Sequence, residues 1–212
     1  TYTEPTVFFE LACETAKQAR QAGLLNIFVT NGYMSPELLC AMTGILDAAN
    51  VDLKAFDPEF YKTYCGARLE PVLENLKQMT KAGILVEITT LLIPGLNDDP
   101  DQLNGLAGFI ADELGAQTPW HISRFHPCYR MTDRPVTPAD SLEQAYDAGK
   151  KAGLRYIYIG NLPGNDREHT FCHACGVVLI RRHGYEVDNR VLAASDGTGQ
   201  CPECSARAYG IF

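Results

Sequence analysis

The sequence predicts an α/β protein built on a parallel sheet and followed by a small metal-binding appendage. Three observations predict it. Helix-like stretches alternate with β-rich runs over residues 1–160, the grammar of βαβ units. Three of those helices close on the same pair, Ala22-Gly23, Ala82-Gly83 and Ala152-Gly153, each just before a strand; glycine there can take the left-handed backbone that ends a helix. From residue 161 the alternation stops, and two C-x-x-C pairs bracket short Gly-rich segments. Right-handed crossovers leave an open doubly wound sheet or a whole or partial barrel.

Each element follows from local signals. A helix over 7–22 leads to a strand at 24–30, a helix at 36–48 and a strand at 50–56. Helical turns at 58–64 and 70–82 precede a strand at 84–93. A helix at 100–114, a strand at 120–126, a helix at 138–152 and a strand at 155–160 complete the alternation. Ser35-Pro36, Asp57-Pro58 and Thr137-Pro138 each offer a capping oxygen followed by proline at the first helical position. Asn161-Leu162-Pro163-Gly164-Asn165-Asp166 reads as a linker, which divides the chain into 1–160 and 161–212.

Composition sets outer limits. The chain has 212 residues and a net charge of −8, from 18 Lys+Arg against 26 Asp+Glu, enough for one domain and an appendage. At 46% hydrophobic and 21% charged it lies outside the disordered classes. No apolar run approaches the roughly 20 residues of a membrane span, and no charged-then-apolar leader is evident. The expected setting is cytoplasmic, with no membrane partner. The acidic balance argues against nucleic acid, whose binding draws on Lys and Arg. Thr1 in place of Met, ahead of Glu4-Pro5, reads as the end of an element already under way.

In parallel α/β folds, chemistry gathers where strands end and loops converge. The predicted strand ends carry Glu4, Thr30-Asn31-Gly32, Asp52 with Lys54, Asn97-Asp98, Arg124 with His126, and Asn161. Asp52 and Lys54 are two apart and share a face, where a parallel strand is normally apolar on both. Singly, each has a plainer reading: Glu4 as a helix-start carboxylate, Asn31-Gly32 as a turn, Asp52 and Lys54 as a solvated ion pair, His126 as a structural residue before Pro127. As a set they suggest a polar, ligand-lined interior.

Thr3-Glu4-Pro5, Val29-Thr30-Asn31-Gly32, Val51-Asp52-Leu53-Lys54, Ile93-Pro94-Gly95-Leu96-Asn97-Asp98 and Phe125-His126-Pro127 occur in the order and approximate spacing of radical S-adenosylmethionine enzymes of the pyruvate formate-lyase activating type. The chain resembles that family over nearly its whole length. Tyr158-Ile159-Gly160-Asn161-Leu162-Pro163-Gly164, followed by two C-x-x-C pairs, is similar to the radical enzyme of the AmmeMemoRadiSam system.

The resemblance implies a partial (βα) TIM-like barrel, truncated at its N-terminus, with a zinc-ribbon-like appendage. It implies S-adenosylmethionine bound at a [4Fe–4S] cluster, reductive cleavage, and a 5′-deoxyadenosyl radical that abstracts hydrogen from a substrate. Glu4 matches the acidic residue that holds the methionyl amine. Asp52 and Lys54 match a strand beside the methionyl and ribose groups. His126 matches a histidine near ribose and adenine, and Asn31 the asparagine of a strand-end turn. Memo-like and AMMECR-like proteins are implied partners, and a flavodoxin or ferredoxin the electron donor. Tyr2 and Thr3 stand where many relatives have glycines, Val29 where activating enzymes often have Asp, and Thr89 where they often have Arg. No C-x₃-C-x₂-C occurs in the chain. The cluster ligands are therefore expected in a preceding segment; a cluster-less nucleoside- or protein-binding relative is the other possibility.

Cys172, Cys175, Cys201 and Cys204 form the strongest single motif. Four thiolates in two C-x₂-C pairs are the pattern of structural zinc, with rubredoxin-like iron second and an auxiliary iron–sulfur cluster third. Between the pairs, residues 177–180 and 185–187 suggest a hairpin turning at His183-Gly184. Over 170–212, Arg181, Arg182, Arg190 and Arg207 balance Glu186, Asp188, Asp196 and Glu203, so the ribbon has no nucleic-acid footprint. His173 and His183 are expected at the surface. Cys13, Cys40 and Cys65 are expected as small apolar residues, and Cys128, near His126, is the lone thiol to test for reactivity.

Overall fold

The computed structural model describes residues 3–184 and 186–212. Thr1 and Tyr2, which precede the Thr3-Glu4-Pro5 motif, and Tyr185, the first residue of the second expected hairpin strand, lie outside the described residues.

A 3₁₀ turn, Pro5–Phe8, runs into α1 (Phe9–Gln21). Then come β1 (Ile27–Thr30), α2 (Pro36–Met42), β2 (Ala48–Asp52) and a short α3 (Pro58–Phe60) that continues as a π turn, Tyr61–Cys65. The remaining elements are α4 (Leu69–Lys81), β3 (Leu85–Leu92), α5 (Pro100–Phe109) with a π turn, Ile110–Leu114, β4 (Trp120–Arg124), α6 (Ala139–Lys151) and β5 (Ile157–Gly160). The five strands pair in chain order, each parallel to the next. A doubly wound sheet reverses direction at a switch point; this one never does, so the winding is that of an open barrel.

The Ala-Gly pairs behave alike. Gly23, Gly83 and Gly153 have φ of 78°, 78° and 89°. After each, the next amide reaches back into the last turn of the helix, as in Leu24 N–H to the Ala19 carbonyl at 3.0 Å. Ser35, Asp57 and Asp99 accept the first free amides of α2, α3 and α5. Thr137 does not cap α6. It is fully buried; its hydroxyl donates to the Leu92 carbonyl at 2.6 Å and accepts the Phe125 N–H at 2.9 Å. It ties together the ends of β3 and β4. Helix α2 ends at Met42 rather than running on to residue 48, with Gly44 (φ 78°) just beyond it. Consequently β2 begins at Ala48, and Lys54 lies past its end rather than within it.

One sheet face packs on the helices through Val51, Leu53, Val86, Ile88, Trp120, Ile122 and Ile159, all essentially inaccessible. The other face is half-buried and polar. A register row, Asp52–Thr89–His121–Tyr158, crosses four strands there.

The appendage holds two small antiparallel sheets. One pairs β6 (Thr170–Phe171), β7 (Val178–His183) and β8 (Glu186–Asn189); the other pairs β9 (Leu192–Ala193), β10 (Gly199–Gln200) and β11 (Arg207–Ala208). Among the described residues its own core is Cys172, Leu179, Cys201 and Ala208, with a few partly buried neighbours.

Candidate functional site

Four of the five expected ligand contacts form two pairs at adjacent strand ends, Glu4 with Asn31 and Asp52 with Lys54. Glu4 caps the entry turn through Thr6 N–H, and its Oε1 also accepts the Thr30 hydroxyl at 2.7 Å. Its Oε2 accepts the Asn31 N–H at 2.8 Å. Asn31 in turn accepts the Tyr33 N–H through Oδ1. Gly32 must be glycine: φ is 71°, and a Cβ would stand 2.7 Å from a Val51 methyl. Lys54 Nζ lies 2.9 Å from Asp52 Oδ2, both side chains about two-fifths exposed. Asn97, only 2% exposed, donates to the carbonyls of Lys54 and Leu91 and accepts the Ile93 N–H. The Asn97 loop is thus a clamp that holds Lys54 in place, more than an ordinary exit loop.

Asn31 and Lys54 line one cleft of about 310 Å³ with Tyr33, Tyr61 and Cys65. His126 is exposed and lines another, of about 820 Å³, with Asn161, Asp166, Glu168 and His183. Strands β2 and β4 are two apart, so the clefts are separated by roughly 10 Å at the sheet edge. The expected residues therefore share one edge but divide between two clefts. A small rigid ligand fills one; an extended molecule is needed to reach both.

The lone thiols split as well. Cys13 is buried as expected, Cys40 is exposed against expectation, and Cys65 is half-buried. Burial pushes the Cys65 thiol up, with Lys54 opposing. Cys128 is exposed in a bridge to Met131.

The four C-terminal cysteines come together, all four sulfurs within 4.8 Å of one another. Sγ–Sγ is 3.6 Å for Cys172–Cys204 and 3.7 Å for Cys175–Cys201. A disulfide measures about 2.05 Å, whereas Zn–S bonds of about 2.3 Å place tetrahedral sulfurs about 3.8 Å apart. The donor set fits one tetrahedral ion. The two knuckles are built alike. Gly176 N–H donates to the Cys172 carbonyl and Ser205 N–H to the Cys201 carbonyl, with φ of 76° and 59° at Gly176 and Ser205. The four thiols share the site unequally: against its burial, N–H groups of Cys175 and Ala174 bring the Cys172 thiol down, while neighbouring cysteines help push Cys175 and Cys204 up. Among the described residues this is the one group of three or more metal-ligating side chains. His173 and His183 are exposed.

The inner sheet face carries polar residues that the strand-end survey missed. His121 Nε2 lies 3.0 Å from Glu87 Oε2, and the His121 ring stacks on Tyr158 at 4.8 Å. Thr89 donates to Asn50 Oδ1 at 2.8 Å. The hydrogen bond from His121 holds the Glu87 carboxyl below the usual carboxylate range against its burial. A signal for them exists in the chain: Glu87 and Thr89, then His121 and Ser123, occupy alternate positions in strands that a parallel sheet normally keeps apolar.

This sheet, with polar groups along its carboxyl edge, is a radical SAM-type fold. Residues 1–104 match the Radical SAM superfamily. Over 207 residues, 98% of its length, the chain is 44% identical to an uncharacterized protein of Methanocaldococcus jannaschii, of which it spans 61%. It is 28% identical over 137 residues to the benzylsuccinate synthase activating enzyme of Thauera aromatica, covering 58% of this chain and 41% of that enzyme. A domain of a pyruvate-formate lyase-activating enzyme from Bacteroides vulgatus superposes with a TM-score of 0.67, covering 76% of this chain and 96% of that one at 20% identity, a likeness of fold. The chain thus spans about three-fifths or less of these two curated relatives.

Proposed function

We propose that residues 1–212 form the nucleoside-binding and ribbon portion of a radical S-adenosylmethionine enzyme of the activating type, whose reaction begins with hydrogen abstraction from a substrate. The observation that carries this reading is the two pairs at adjacent strand ends, Glu4–Asn31 and Asp52–Lys54, whose Asn31 and Lys54 line one cleft. Glu4 Oε2 has one donor and keeps a lone pair for the methionyl ammonium. Lys54 Nζ has one carboxylate partner and keeps hydrogens for the methionyl carboxylate, a charge-assisted pairing. Asp52 and Asn97 hold Lys54 in place. His126, in the neighbouring cleft, faces the ribose and adenine of an extended ligand.

The described residues do not supply a [4Fe–4S] site at this edge: Cys13, Cys40, Cys65 and Cys128 do not gather. The cluster ligands belong to sequence outside these residues, so no radical step is assigned to any side chain here. The four-cysteine ribbon holds zinc in this reading, with iron as the second choice on the same geometry. The tail from Tyr158 to Gly164 with the paired C-x-x-C motifs supports placement in the AmmeMemoRadiSam system. Memo-like and AMMECR-like proteins would then be partners in the cytoplasm, and flavodoxin or ferredoxin the electron donor.

Calorimetric titration tests the site without turnover. S-adenosylmethionine should bind the chain and lose at least tenfold in affinity in both Lys54→Met and His126→Ala. 5′-Methylthioadenosine, which lacks the amino-acid end, should respond to His126→Ala alone. Affinity for S-adenosylmethionine that ignores both substitutions overturns the reading. A longer protein carrying C-x₃-C-x₂-C, reconstituted anaerobically with iron, should cleave S-adenosylmethionine reductively.

A further inference from the structure

The sheet has a second concave site at the opposite end of its strands. There the inner face and the ribbon enclose a cavity of about 330 Å³, at the lower end of the volumes typical of small-molecule sites. Ala48, Leu85 and Tyr158 form its sheet side, and Ile180, Val191 and Phe212 its ribbon side. Such a wall, apolar and aromatic with few polar groups, is the usual form of a ligand pocket.

Two opposite charges line this cavity without pairing with each other: Glu87 from β3 and Arg182 from β7. Each is held by other partners. Glu87 Oε2 meets His121 at 3.0 Å. Arg182 Nη1 donates to the Glu168 carbonyl at 3.0 Å and the Thr170 hydroxyl at 2.9 Å, and its guanidinium lies 5.6 Å over the Tyr158 ring. Those bonds use one guanidinium nitrogen; among the described residues neither Nε nor Nη2 donates a hydrogen bond, and guanidinium forks match carboxylates. Asp47, the other acid on the wall, is committed to Arg20 and the Asn26 N–H. A carboxylate from the sheet and a guanidinium from the ribbon, in one cavity with aromatic and aliphatic side chains, match a small zwitterion.

We propose that this cavity binds a free α-amino acid with an apolar side chain, its ammonium on Glu87, its carboxylate on Arg182 and its side chain against Leu85, Tyr158 and Phe212. The ribbon supplies half the pocket, so it contributes recognition as well as structure. The site opens at the other end of the strands from the carboxyl-edge clefts and shares Arg182 with the His126 cleft; Glu87 and the apolar wall belong to it and not to that cleft.

A thermal-shift screen of the metal-loaded chain with L-alanine, valine, leucine, isoleucine, methionine, phenylalanine, tyrosine and tryptophan tests it, followed by calorimetry. At least one should bind, and its amine-free and carboxylate-free analogues should each bind at least tenfold more weakly. Glu87→Gln and Arg182→Met should each cost at least tenfold. Ala48→Phe, which fills the cavity from the barrel side and leaves the ribbon alone, should abolish binding. No binding by any of the eight overturns the proposal. So does binding that survives Ala48→Phe.

Discussion

The Glu4 carboxylate accepts the Asn31 backbone N–H at 2.8 Å through Oε2, while Oε1 takes the hydroxyls of Thr30 at 2.7 Å and Thr6 at 3.0 Å. One side chain thus fastens the entry to α1 onto the end of β1. Removing it strands several donors. Glu4→Ala should lower stability by about 1–3 kcal/mol, read by denaturant titration, because donors left without partners cost more than an average bond contributes. It should also weaken S-adenosylmethionine binding. Unchanged stability would sink the clamp role.

The ribbon should depend on its metal. A tail of about 40 residues buries too little to fold alone, and here two of its four core residues are ligands. Elemental analysis should find one ion per chain. Chelation should erase amide-exchange protection in Val178–His183 while leaving it at Val51, Ile88 and Ile122. Hairpin protection that persists after chelation counts against a structural metal.

Glycines with similar φ should differ in cost. A Cβ at Gly83 meets nothing within 4 Å, so Gly83→Ala carries only left-handed strain, about 1–2 kcal/mol. At Gly32 the same strain adds to a 2.7 Å approach to Val51. Gly32→Ala should therefore be the more destabilising in thermal unfolding, and equal costs would refute the packing argument.

Thr137→Val keeps the shape and deletes the hydroxyl. The Leu92 carbonyl and Phe125 N–H are left unpaired in a dry site, so a loss of about 1–3 kcal/mol is expected in denaturant unfolding. A neutral outcome would mean the β3–β4 tie is not needed.

The Glu87–His121 pair predicts an acid-side dependence. The Glu87 carboxyl is held below its ordinary value, chiefly by the His121 hydrogen bond. Its contribution is present above the unfolded carboxylate range, about 4.3, and is lost as pH falls through the folded value. The stability difference between wild type and Glu87→Gln should thus be constant near neutrality and shrink below about pH 4. A gap that stays constant into acid would show that Glu87 gains nothing from ionisation.

Local chemistry is legible in the residues. Gly23, Gly83 and Gly153 stop helices because a left-handed residue needs no partner from elsewhere in the fold. Ser35, Asp57 and Asp99 cap their own first turns for the same reason. The cysteine tetrad is legible too, since two knuckles at fixed spacing close around one point. Thr137 has the sequence context of a cap, yet its hydroxyl is claimed by two strands distant in the chain. Cys40 has the context of a buried apolar residue, yet a short helix leaves one side exposed whatever its residue.

What the chain determined unaided was the order of helices and strands up to residue 160, the glycine stops at Gly23, Gly83 and Gly153, and the set of polar groups at one sheet edge, because these depend on neighbours within a few residues. Only the tertiary structure decided that the strands pair in simple sequence, that His126 stands in a cleft apart from Lys54, and that Arg182 reaches over the ring of Tyr158. Those outcomes depend on inter-strand register and on how the ribbon docks, contacts between residues far apart in sequence that no local pattern encodes.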